Sequence, residues 1–122
     1  MTSDDAPSGR RRYRLRFFPA AWDEWLALDG SVRKTLKQHL EKRLINPHRP
    51  GSVLNAELVG LYKIKLLRQG IRLIYSVNDG LLLLIVFSIG KREDAAAYRS
   101  ALVRLKQARD KDQGSGLGAL PA

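Results

Sequence analysis

The 122-residue chain contains no cysteine and only two histidines. The absence of cysteine excludes disulfides, thiolate catalysis and cysteine-ligated zinc. His39 and His48 are nine positions apart, a spacing that matches none of the usual ligand patterns, so we expect no metal site and no other cofactor. Any chemistry must therefore come from side chains other than cysteine and proceed without a bound metal.

Long hydrophobic runs are also absent. The longest, residues 81–87, is far too short to cross a bilayer. The arginines near the N-terminus are not followed by the apolar stretch that a secretory signal needs. We therefore expect a soluble protein that works in the cytoplasm and has no membrane partner.

Acidic residues are outnumbered by basic ones. The chain has 22 lysines and arginines against 12 aspartates and glutamates, a formal net charge of +10. Such a balance favours a polyanionic partner, either nucleic acid or an acidic protein, and charge alone does not choose between them. The length and the 44% hydrophobic content fit one compact domain.

Composition divides the chain into three stretches. Residues 1–11 are small, polar or charged and predict a flexible N-terminal arm, and the glycine-rich residues 107–122 predict a flexible C-terminal tail. Residues 12–106 carry periodic apolar patterns and form the predicted folded domain. Its class is α+β, in the order strand (13–17), helical hairpin (19–28 and about 31–45), antiparallel three-strand meander (62–67, 71–77 and 81–89) and C-terminal helix (about 94–107). The strand at 81–89 is apolar on both faces and is expected to be central.

The stretch LYKIKLLRQGIR, residues 61–72, carries four cationic side chains and no carboxylate. Its apolar residues alternate with Lys63 and Lys65, so one face of this strand is expected to face the core and the other an anion. A two-residue loop at 69–70 would pair Leu66 with Leu73 and place Arg72 diagonal to Lys65. The three cations would then share one face and repel each other, although cations are also the ordinary solvated face of a strand.

The sequence SIGKREDAAAY, residues 88–98, follows the apolar strand. Its glycine ends the strand, and Lys91 and Arg92 come directly after it. Tyr98 lies on the apolar stripe of the final helix, where core packing would be its simplest role. Its position just beyond two cations also allows a role in a site.

The segments YKIKL, GIRLIYSV and IGKREDAAAY, which follow a strand and a helical hairpin, resemble the RelE branch of the RelE/ParE toxin superfamily across roughly residues 12–106. The resemblance implies a RelE-like microbial RNase fold and the toxin of a type II toxin–antitoxin system, which cleaves mRNA in the ribosomal A site. Implied partners are a RelB-like antitoxin, the ribosome and mRNA, with operator DNA bound only by the toxin–antitoxin complex. An antitoxin helix is expected to dock where the last toxin helix lies.

All five catalytic positions of the family pattern are occupied, by Lys63, Lys65, Arg72, Arg92 and Tyr98. Some members carry a further arginine before the lysine strand, where this chain has Val59, and Arg68 is a possible substitute. The expected RNA-binding residues are Lys63, Lys65, Arg68, Arg72 and Lys91.

Cleavage through the 2′-hydroxyl of RNA needs a base, positive charge on the transition state and an acid for the leaving oxygen. We assign Tyr98 as base or orienter of the hydroxyl, Lys63, Lys65 and Arg72 as binders of the phosphate, and Arg92 as stabiliser of the transition state. The acid is left open between Arg92 and Lys65. These roles describe a metal-independent endoribonuclease.

Two other functions fit the basic single domain. A ParE-like relative would inhibit DNA gyrase through protein contacts, and a nucleic-acid-binding module would need no chemistry. The five-residue set favours the nuclease, because neither alternative has a chemical reason to keep those residues together.

Overall fold

The computed structural model describes residues 12–49, 52–54, 58–91 and 95–115. Within these residues the elements are β1 (Arg14–Phe17), α1 (Pro19–Leu26), α2 (Gly30–Ile45), β2 (Leu61–Leu66), β3 (Ile71–Asn78), β4 (Leu83–Lys91) and α3 (Ala96–Ser115). The predicted α+β class and element order are confirmed. The first helix is shorter than predicted, and α3 continues past the predicted end at residue 107.

The strands form one sheet in the order β1-β4-β3-β2. The meander of β2, β3 and β4 is antiparallel, as predicted, and β1 pairs with β4 in parallel. β4 is flanked on both sides, and residues 84–89 are buried, which confirms the central position predicted for this strand. None of the described helices is long and apolar enough to span a membrane.

Each face of the sheet is covered by helices. The α1–α2 hairpin packs leucines of α2 against one face, which includes Ile64, Leu66 and Leu73. Helix α3 covers the other face mainly with Ala97, Ala101 and Ala108, and its larger apolar residues lie at the margin of this contact. The fully buried positions of α3 are therefore alanines, and Tyr98 and Leu105 of the predicted apolar stripe pack at the margin.

A close approach of α3 to β4 accompanies this alanine stripe. A Cβ atom at Gly90 would lie 3.1 Å from the backbone nitrogen of Ala97. Glycine at this position and alanine on the helix let the two backbones come together. The N-terminal turn of α3 is thereby held against the end of β4.

The β2–β3 hairpin differs from the sequence prediction in its loop. The loop comprises residues 67–70, and the amide of Gly70 donates to the carbonyl of Leu66 at 2.8 Å. Gly70 has a φ of +69°, a conformation that glycine adopts without a steric penalty. Lys65 pairs directly with Arg72, so the predicted diagonal arrangement is wrong. The shift equals two residues and leaves every side chain on its predicted face.

Buried polar groups connect this hairpin to the end of α2. The Tyr75 hydroxyl accepts a hydrogen bond from Arg43 Nη1 at 2.7 Å and donates to the carbonyl of Pro47 at 2.8 Å. Arg43 is 8% exposed and Tyr75 is fully buried, and burial raises the pKa of the tyrosine. The hydroxyl therefore stays protonated and satisfies both partners.

Substituting Tyr75 with phenylalanine should lower the free energy of unfolding by about 1–3 kcal/mol, because the buried guanidinium and carbonyl each lose a partner. Urea denaturation of Y75F would measure this loss. Y62F is the matched control, since the Tyr62 ring stacks on Tyr75 at 5.3 Å but its hydroxyl contacts the exposed His48. Equal losses in the two variants would contradict the role assigned to the buried hydroxyl.

Candidate active site

Three cations of the β2–β3 hairpin lie on the face of the sheet that α3 covers. Lys65 and Arg72 are directly opposite each other, a geometry that places Cβ atoms about 4.5–5.5 Å apart. Lys63 is on the same face of β2, and both Lys63 and Arg72 are half-buried, whereas Lys65 is exposed. The ion pairs among the described residues lie elsewhere, so no described carboxylate neutralises these three charges.

Tyr98 of α3 completes this group. The guanidinium carbon of Arg72 lies 4.1 Å from the centroid of the Tyr98 ring, within the range of a cation–π interaction. The ring also contacts the apolar core beneath α3. Tyr98 therefore packs against the core and lies against Arg72 at the same time, and its role in a site stays a prediction.

Arg72 has unused hydrogen-bonding capacity. Its Nε is buried and is the one such side-chain nitrogen or oxygen in the described part of the chain without a hydrogen-bond partner. An unsatisfied buried donor is costly and calls for an explanation. Guanidinium N–H groups bind phosphate oxygens in a fork geometry, so an incoming phosphate would supply acceptors at this arginine.

An open pocket of about 370 Å³ lies beside Lys63 and Tyr98, with Val53, Leu54 and Leu58 as its apolar wall. None of these three residues was predicted from the sequence to belong to a site. They lie between α2 and β2, in a segment without helical or strand periodicity, and a backbone bridge between Val53 and Tyr62 attaches part of it to β2. No pattern in the sequence distinguishes them from an ordinary loop.

The remaining predicted residues lie at the rim or outside the described residues. Lys91 ends β4, is exposed and pairs with Ile71, the neighbour of Arg72 in the chain. Arg68 is exposed in the hairpin loop. Arg92 lies outside the described residues, so its place in the site stays a prediction. Val59, at the position of the family's additional arginine, is 61% exposed.

Other parts of the described structure offer less chemistry. Larger pockets of about 500 and 570 Å³ lie by β1 and the α1–α2 hairpin, lined by Phe17 and Trp22 among others, and contain none of the predicted site residues. Within the described ranges, no group of three or more histidines and carboxylates could hold a metal ion. The candidate active site is therefore the group formed by Lys63, Lys65, Arg72 and Tyr98.

Comparisons with known proteins identify relatives of the chain, although no family model matches it. The chain is 38% identical over 93 residues to the mRNA interferase toxin RelE of Escherichia coli K12, which covers 76% of this chain and 97% of the relative. A free-state structure of an arginine-to-alanine double mutant of E. coli toxin RelE matches with a TM-score of 0.70 at 36% identity, covering 77% of this chain and 98% of the other. A chain of the intact E. coli RelBE toxin–antitoxin complex matches with a TM-score of 0.62 at 38% identity, covering 65% of this chain and 95% of the other. Sequence, fold and site residues lead to one conclusion: the chain belongs to the RelE toxin family.

Proposed function

We propose that this RelE-family toxin is an endoribonuclease that cleaves translated mRNA in the ribosomal A site. The observation that carries the proposal is the contact of Arg72 with Tyr98 at 4.1 Å, beside two further cations and with the arginine Nε unpaired. The related E. coli K12 toxin is named an mRNA interferase, which supports RNA as the substrate class.

The cations bind the scissile phosphate. Lys63, Lys65 and Arg72 share one face of the hairpin, where an anion would relieve their mutual repulsion. Two of them are half-buried, and electrostatic interactions are stronger in such a site than in open water. Because the pairing of β2 with β3 fixes the positions of these side chains, the positive charge is in place before the substrate binds.

Tyr98 accepts or orients the proton of the 2′-hydroxyl. The hydroxyl oxygen attacks the adjacent phosphorus, the bond to the 5′-oxygen breaks, and the products are a 2′,3′-cyclic phosphate and a 5′-hydroxyl. Arg92 stabilises the charge of the transition state, and either Arg92 or Lys65 delivers the proton to the leaving oxygen. The reaction needs no metal ion in this scheme.

The ribosome is needed because the site has few groups that could align RNA by themselves. Holding the mRNA in a reactive geometry converts a poorly oriented encounter into an effectively intramolecular step. Beside Tyr98, the pocket walled by residues 53, 54 and 58 offers an apolar surface for a base or ribose next to the reacting phosphate. The reaction would take place in the cytoplasm, where translated mRNA is found.

A RelB-like antitoxin is the proposed inhibitor, because a related toxin has been solved in the RelBE complex. The net charge of +10 would steer an acidic antitoxin segment toward the toxin. Operator DNA would be bound only by the toxin–antitoxin complex. The docking of α3 is the natural point of control, since α3 carries Tyr98 and buries mostly alanine side chains.

Y98F should reduce cleavage about 100-fold or more, because it removes the hydroxyl and keeps the ring against Arg72. R72Q should also lose most activity because phosphate binding is weakened. R92A should do so because the charge of the transition state is no longer stabilised. Single-turnover cleavage of mRNA on programmed ribosomes would measure each rate. Y62F, on the opposite face of the hairpin, is the control and should cleave at nearly the wild-type rate. Wild-type cleavage by Y98F would remove Tyr98 from the mechanism.

Purified toxin should cut mRNA within ribosome-occupied codons and cut the same RNA much more slowly without ribosomes. The physical reason is the loss of substrate alignment. Primer extension on both reactions would locate the cuts, and a parallel supercoiling assay would report on DNA gyrase. Inhibited supercoiling with intact mRNA would favour a ParE-like function instead.

Antitoxin binding should increase amide exchange across α3 if the antitoxin acts by displacing this helix from the sheet. Hydrogen exchange on the free toxin and the inactive complex would test this, with β3 amides as the internal reference. Unchanged or increased protection across residues 96–108 in an inactive complex would exclude displacement and indicate that the antitoxin covers the basic face.

A further inference from the structure

The edge of β4 is left open where β1 ends. β1 pairs with β4 from Leu83 to Val86, and the next groups of β4 are bonded by side chains instead. The amide of Ile89 donates to Glu24 Oε1 at 3.0 Å, and the carbonyl of Phe87 accepts from Arg104 Nη1 at 2.8 Å. Side chains from α1 and α3 thus replace the missing strand.

These two bonds lie at an irregularity in β4. Ile74 pairs with Ser88 and Tyr75 with Val86, so Phe87 is left as an extra residue between two pairs. Such a bulge puts each residue after it on the face of the sheet opposite to the one that strict alternation would give. Gly90 consequently lies opposite Arg72 and against the first turn of α3, on the face of the candidate site.

Glu24 and Arg104 also bind each other. Arg104 Nη1 and Nη2 donate to the two carboxylate oxygens of Glu24 at 2.8 and 2.9 Å, the fork geometry that fixes both distance and orientation. Their side chains are 29% and 14% exposed, respectively. The pair therefore joins α1, the bulge of β4 and α3 at one partly buried point.

Neither residue has a role in the chemistry proposed above, but Arg104 lies on the helix that carries Tyr98. Their separation of six positions corresponds to about 9 Å along the helix axis. Because the alanine stripe of α3 offers few interlocking side chains, it restrains sliding or rotation of the helix weakly. The directional bonds of Arg104 add restraint toward the middle of the helix, beyond the hydrogen bond that Ser88 donates to the Ala97 carbonyl in the first turn.

We propose that Glu24 and Arg104 are positioning residues that hold α3 in the register at which Tyr98 lies on Arg72. The inference rests on the proposed ribonuclease function for its kinetic consequence. Its structural part, coupling of the Glu24–Arg104 pair to the Arg72–Tyr98 contact, stands independently of the substrate.

The kinetic test uses E24Q and R104K in the full-length chain. E24Q keeps an oxygen that can accept from Ile89, and R104K keeps the charge but loses the fork. Each should lower the single-turnover cleavage rate at saturating toxin by about 10- to 100-fold, the sensitivity expected for small misplacement of a reacting group. The apparent Kd for programmed ribosomes should change less than about twofold, because the phosphate-binding cations are untouched. E41Q, an exposed carboxylate on α2, is the matched control and should retain the wild-type rate.

The structural test replaces Tyr98 with 3-fluorotyrosine and records the ¹⁹F resonance in wild type, E24Q, R104K and R72Q. R72Q is the reference, because its resonance gives the ¹⁹F chemical shift of a Tyr98 ring without a guanidinium beside it. The E24Q and R104K resonances should move from the wild-type position toward that of R72Q, while near-ultraviolet circular dichroism remains that of a folded protein.

Slower cleavage with an unmoved ¹⁹F resonance, or a loss confined to ribosome affinity, would overturn the proposal. Global unfolding of both conservative variants would overturn it as well, because the pair would then act on overall stability. A moved resonance in a toxin whose wild type cuts no mRNA would instead refute the ribonuclease function and leave the positioning role supported.

Discussion

The pairing register of β2 with β3 places Lys65 opposite Arg72, and the candidate site depends on this juxtaposition. Two like charges at directly opposed positions destabilise a sheet. The cations stay on this face because both faces of the sheet carry core residues, packed against leucines of α2 on one side and against α3 on the other. A slip of one residue would turn every core side chain of β2 outward, which costs far more than the repulsion. The core thus keeps the three cations on one face, although their mutual repulsion opposes that arrangement.

The second constraint is the close contact of α3 with the end of β4. It needs small residues on both sides, which Gly90 and Ala97 supply, and the Ser88 hydroxyl donates to the Ala97 carbonyl at 2.6 Å. This contact brings the first turn of α3 over the hairpin, so that Tyr98 reaches Arg72. A helix with larger residues on its buried face would bury more apolar surface but would lie farther from β4. The arrangement combines a short approach with little interlocking of large apolar side chains.

Much of the fold and part of the site were predictable because they depend on local patterns. Strand alternation assigned Lys63 and Lys65 to one face, and the doubly apolar run identified the central strand. The hairpin pattern added Arg72 to that face, and the family resemblance assigned Tyr98 and Arg92 to the same site. The hairpin loop was placed two residues off, since either loop length leaves the same side chains in the core. The observed loop is closed by the amide of Gly70, which donates to the carbonyl of Leu66.

By itself, the sequence determined the fold class, the order of elements, the basic character and the residue types available for chemistry, because composition and periodicity act over a few neighbouring residues. Tertiary structure alone decided that Arg72 meets Tyr98 at 4.1 Å, and that Glu24 and Arg104, 80 positions apart in the chain, meet at a bulge in β4. These contacts join segments far apart in sequence, and their geometry depends on how helices pack on a twisted sheet. No local pattern in the chain specifies such packing, so only the folded structure reveals it.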